Sequence, residues 1–165
     1  MGELSTKAIL INTLKCFVVF YGCYYVVSSV CYAFYRLSNF DGRIPFNFKT
    51  WVNLSNCCTG YTDEEIVNVI SMEVSYSLCG IIYGLLVRNW AWDYAVSIAL
   101  LHLALSCLVM LDFPVNWSWW VCYGCALLLK IIFGEMICFL WKLKRKVKVE
   151  PGEIPTQKSY LYHKM

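Results

Sequence analysis

Charge is scarce in this chain. Asp, Glu, Lys and Arg together make up 15% of its 165 residues, against roughly 25% in a typical soluble domain. So little charge, set beside a surplus of apolar surface, points to lipid surroundings, and nucleic acid is not expected as a partner. Also missing are an internal repeat, a low-complexity tract, a Gly-rich phosphate loop, a Ser, His and Asp set in plausible register and clustered metal ligands. These absences argue against an enzyme and lead us to expect neither cofactor nor metal. The chain instead holds 59% apolar residues, gathered into four long segments.

Those segments lie near residues 10–35, 66–87, 94–111 and 117–141. A hydrocarbon core about 30 Å thick takes roughly 20 helical residues to cross, and each segment comes close. The expected fold is therefore an all-α membrane protein, a four-transmembrane-helix bundle in residues 1–141, with the lipid bilayer as its first partner. Several of the seven tryptophans flank the spans (Trp90 and Trp92, Trp117 to Trp120, Trp141), as an interfacial aromatic belt would. The first apolar run exceeds the roughly 7–15 residues of a signal-peptide core, so it reads as a retained signal anchor. Lys142, Lys144, Arg145, Lys146 and Lys148 follow the last span directly, which assigns a basic tail, 142–165, to the cytosol by the positive-inside rule. Four crossings then put the N-terminus there too.

The connections differ in length. Residues 88–93 and 112–116 are short turns, leaving a lumenal loop, 36–65, and the cytosolic tail as the two sizeable surfaces. Thr62 and Glu65 form a capping-box pattern opening the second helix, and Phe46, Phe48, Trp51 and Val52 predict a loop folded against the membrane. Asn53-Leu54-Ser55 is a glycosylation candidate, and Asn116-Trp117-Ser118 a second sequon close to the membrane. Most of the ten cysteines fall within spans, where a thiol acts as a small hydrophobe. Cys57 and Cys58 face an oxidising lumen with their pairing open, and Cys16 and Cys138 lie near the cytosolic interface as palmitoylation candidates.

Polar groups inside the spans carry the sharpest chemistry. They are Lys15, Glu73, His102, Lys130 and Glu135, and a charge at such depth costs about 2.5–3.5 kcal/mol on insertion scales. They are expected to face inward, with Lys15 and Glu135 paired because both lie about two turns from the cytosolic end. Two readings stand: a structural polar network, or the proton or ion path of a small transporter, channel or accessory subunit that would use Glu73, His102, Lys130 and Glu135. Gly80 and Gly84 form a GxxxG face on the second helix for close helix approach, and Gly134 is a further packing glycine on the fourth.

Asp93-Tyr94-Ala95-Val96, His102, Phe113-Pro114, Trp119-Trp120, Gly134-Glu135 with Cys138, and Glu153-Ile154-Pro155 stand in an order that resembles the SYS family of Golgi integral membrane proteins. Tyr24-Tyr25, Gly80 and Tyr83 extend the likeness to all four spans. Within the family, Trp92-Asp93-Tyr94-Ala95, Leu101-His102 and Val109-Met110-Leu111 are most similar to the branch called transmembrane protein 244. The resemblance implies a protein of the trans-Golgi network that docks a small ARF-related GTPase and supports vesicle traffic. The chain departs from the family pattern at Glu73, Lys130 and the long basic run. Asp93, Glu135 and Trp141, at the cytosolic ends of the third and fourth spans, are the expected partner-binding residues, and Lys142 to Lys148 would hold the tail against anionic lipid.

Overall fold

The computed structural model describes residues 6–38, 40–54, 60–87 and 90–149, with the side chains of 146–149 outside the description. It contains four long α-helices: α1 (Thr6–Phe34), α2 (Asp63–Val87), α3 (Ala91–Met110) and α4 (Trp117–Val149). Each is long and apolar enough to cross a membrane, and among the described residues there is no strand. The basic run belongs to α4, which continues through Trp141 without interruption because no glycine or proline breaks it there. At 1.5 Å per residue its 33 residues reach about 50 Å, well beyond a hydrocarbon core of about 30 Å.

Helix boundaries follow local chemistry. The capping box forms at the start of α2, where Thr62 N–H donates to Glu65 Oε2 (2.9 Å) and Glu65 N–H to Thr62 Oγ1 (3.3 Å). Helix α3 ends on Leu111 in the left-handed conformation (φ 50°), its N–H returning to the Cys107 carbonyl. That closure turns the chain sharply into α4.

The buried residues of α1 are Cys16, Phe20, Tyr24, Ser28 and Tyr32, one every four positions. Such a row makes a single ridge, and α1 lays it chiefly against α2. Helix α2 is buried on two adjoining stripes, including Ser71, Met72, Ser75, Tyr76, Cys79, Gly80, Tyr83 and Gly84, because it also packs extensively on α4. The approach to α4 is close enough that a Cβ on Gly80 would run into the Lys130 carbonyl oxygen, and one on Gly84 would lie 2.7 Å from the Gly134 carbonyl. Small residues let two apolar helices gain contact where lipid supplies no hydrophobic drive.

The 36–65 connection enters the bundle. Phe48, Trp51 and Val52 are buried in the main core, and the Phe46 ring lies on His102 of α3 (centroids 5.9 Å apart, 30° between planes). Polar bonds hold the segment there: Asn68 Nδ2 donates to the Thr50 carbonyl (3.1 Å), the Leu54 N–H to Ser118 Oγ (3.1 Å), and Lys49 Nζ lies 3.2 Å from Asp112 Oδ2. We call this the loop end of the bundle. At the opposite, terminal end lie the starts of α1 and α3 and the later turns of α2 and α4.

Candidate functional site

The polar residues of the spans separate into an enclosed centre and the terminal end. Lys130 is at the centre, with no exposed surface. Its Nζ has no hydrogen-bond partner but sits over three rings, 4.5 Å from the centroid of Phe20, 4.6 Å from Tyr83 and 5.0 Å from Tyr76. Aromatic faces carry negative electrostatic potential, so the rings replace part of the hydration an ammonium loses on burial. The Tyr83 hydroxyl donates to the Cys16 carbonyl (2.7 Å), which holds that ring between α1 and α2.

His102 also packs on Phe20, edge to face with ring centres 5.1 Å apart. Its Nδ1 is 3.2 Å from the Tyr21 hydroxyl, and Phe46 covers its face. Glu73 is half-buried on α2 with Oε2 unpaired. These groups do not extend to Lys15, which is exposed on α1. Among the described residues no ion pair joins Lys15 to Glu135. The expected pairing is therefore corrected: equal depth does not bring the two together when α1 packs mainly on α2 and α4 packs on α2 and α3.

Glu135 reaches a different partner. Its Oε1 accepts from the Trp92 N–H (3.4 Å), so the α4 carboxylate lies at the positive end of α3. Trp90, at the N-cap of α3, is left-handed (φ 60°) and offers no side-chain cap. Trp90 and Trp92 are both exposed, with ring centres 6.3 Å apart, and Asp93 is exposed beside them. Trp141, also exposed, follows Glu135 by six residues along α4, about 9 Å of helix. Lys142, Lys144 and Arg145 come next and are exposed. The terminal end thus combines aromatic, acidic and basic surface within a few turns. Lys146 and Lys148 side chains lie outside the described residues.

The other residues singled out by the sequence have simple placements. Cys16 and Cys138, expected from their depth to be open to acylation, are both buried between helices, and that expectation is corrected. Asn53 is exposed at the loop end, while Ser55 of its sequon and Cys57 and Cys58 lie outside the described residues, as do 150–165. In the second sequon Ser118 is fully buried and its N–H is held by Asn116 Oδ1 (3.0 Å). Asp112, on the exposed turn after α3, accepts the Phe113 N–H (2.9 Å) and faces Lys49. Those two contacts hold its carboxyl below the usual carboxylate range. Among the described residues no group of three or more His, Cys, Asp or Glu side chains could hold a metal ion.

The aromatic cage and the Phe46 cover over His102 are not foreseen by the sequence patterns. Spacing offered a signal for the cage: Phe20 belongs to the fourfold row of α1, and Tyr76 and Tyr83 stand seven residues, or two turns, apart on α2. Nothing local to Phe46 pointed to His102.

Comparison with known families matches residues 6–149 to SYS1, described as an integral membrane protein linking to the trans Golgi network. Among curated proteins, the human "Putative transmembrane protein 244" is 35% identical over 127 residues, covering 75% of this chain and 92% of that one. The "Protein SYS1 homolog" of Nematostella vectensis is 32% identical over 60 residues, 36% of this chain and 37% of its own length. No solved structure matches.

Proposed function

The chain belongs to the SYS1 family of Golgi integral membrane proteins, and from that premise we propose that it is a non-enzymatic scaffold that docks a small ARF-related GTPase in support of vesicle traffic. Docking takes place at the terminal end, with both termini in the cytosol. The observation that carries this reading is the grouping at that end of exposed Trp90, Trp92, Asp93 and Trp141 with Glu135 between α3 and α4. Exposed indoles suit an apolar or amphipathic partner segment at the membrane interface. The basic stub of α4 supports the orientation, and its residues would each add about 1 kcal/mol of attraction to an anionic leaflet.

The enclosed centre supports a structural role for Lys130 and His102, since the Lys130 ammonium is surrounded by aromatic rings and has no hydrogen-bond partner, where a transport path would need a succession of polar groups. Flotation of an ARF-related GTPase, carrying its natural N-terminal modification, with vesicles containing the purified chain tests the docking. Asp93→Ala combined with Trp141→Ala should reduce co-flotation several-fold. Lys49→Ala with Asp112→Ala, at the exposed loop end, should leave it unchanged. Replacing the whole 36–65 loop is unsuitable as a control because Phe48, Trp51 and Val52 belong to the core. Equal flotation with vesicles lacking the chain would refute the docking.

A further inference from the structure

Helix α3 begins without a side-chain cap of its own; at its start the Asp93 N–H turns back to the Trp90 carbonyl (3.1 Å). Trp90 occupies the N-cap in a left-handed conformation and makes no side-chain bond to the helix, although the first four N–H groups of any helix lack intrahelical acceptors. Ser, Thr, Asp or Asn would ordinarily fill that position. Here the Trp92 N–H is met by Glu135 Oε1 at 3.4 Å, from a helix 43 residues further along the chain. The two backbones are close at this level, because a Cβ on Gly134 would lie 3.5 Å from the Ala91 Cβ.

We propose that Glu135 is a positioning residue of the docking end: its carboxylate closes the start of α3 from α4 and fixes the corner that presents Trp90, Trp92 and Asp93. It acts through α3 and not by touching the partner. This inference rests on the docking reading above for its consequence in traffic, while the positioning itself is a property of the bundle. Glutamate suits the task because it follows Gly134, where α4 and the start of α3 approach closely, and a negative group at a helix N-terminus is electrostatically favoured. Glutamine keeps the acceptor oxygen and gives up the charge.

The spacing of Gly134 and Ala91 supplies a direct gauge. Cβ atoms about 3.5–4.5 Å apart suit a disulfide, so Ala91→Cys with Gly134→Cys should cross-link in Golgi membranes under a mild oxidant, read as the linked peptide by mass spectrometry. Adding Glu135→Ala should lower the yield several-fold, and Glu135→Gln should lower it much less. An undiminished yield with Glu135→Ala would overturn the positioning, whatever happens to any GTPase. Amide exchange at Trp92 in the otherwise unaltered chain tests the same contact without the Gly134 change: faster exchange for Glu135→Ala supports it, unchanged exchange overturns it. Recruitment then separates positioning from contact. With Glu135→Ala in the cysteine pair, GTPase binding should fall when reduced and recover when the cross-link forms. Loss that persists in the cross-linked chain would make Glu135 a contact and overturn the proposal. If no variant alters recruitment and removing the chain does not either, the docking reading fails, while cross-link yield and exchange still decide the positioning.

Discussion

Replacing Phe20 with Leu should destabilise the bundle more than replacing Lys130 with Met, although the second change removes a buried cation. An ammonium at the centre of a span costs about 2.5–3.5 kcal/mol. Three rings at 4.5–5.0 Å, each contributing about 0.5–2 kcal/mol, offset most of that. Met keeps the unbranched shape, so Lys130→Met loses the cost together with the compensation, and its net effect should stay within about 1 kcal/mol. Phe20→Leu leaves the charge in place with one ring fewer, at about 1–2 kcal/mol, plus about 1 kcal/mol of lost packing. In the double variant only the packing loss remains. A double-mutant cycle measured by denaturant unfolding in micelles should therefore show a coupling of about 1–2 kcal/mol. Single changes that add to within about 0.5 kcal/mol would refute the cage.

Gly80→Ala should destabilise the chain by several kcal/mol in the same unfolding assay, since the new methyl meets the backbone oxygen of Lys130 and cannot be relieved by a side-chain rotation. The Lys49 and Asp112 tether should respond to acid in one direction: a carboxyl held below its unfolded value stabilises above that value and loses its contribution as pH falls through the folded one. Proteolysis of the loop end in micelles should therefore be constant from neutral pH down to the usual carboxylate range and rise only below it. Protease added to sealed Golgi vesicles should remove the segment after Trp141 and spare the 36–65 loop; protection of the tail would reverse the proposed orientation.

Much of the fold was legible because its determinants are local. Four apolar runs and the Thr62 and Glu65 capping box each state a preference within a few residues of themselves, and those preferences reappear in the helices and the cap. The loop's apolar residues were expected against the membrane, whereas Phe48, Trp51 and Val52 are buried in the core of the bundle. The extent of α4 was less clear, since hydropathy ends near Trp141 while helical propensity does not. Pairing across helices was the least legible. Depth along a span can be counted, but which face a helix turns to which neighbour depends on packing order, and for this reason Glu135 meets Trp92 and not Lys15. His102 shows the same limit, because the ring that covers it comes from a loop residue, Phe46, 56 positions earlier by the difference of the two residue numbers.

Docking is tested most squarely by the fraction of an ARF-related GTPase bound to Golgi membranes in cells with and without this chain. Removal should lower that fraction several-fold, and the full chain should restore it where the chain carrying Asp93→Ala and Trp141→Ala does not. A GTPase distribution unchanged by complete removal would contradict the docking function.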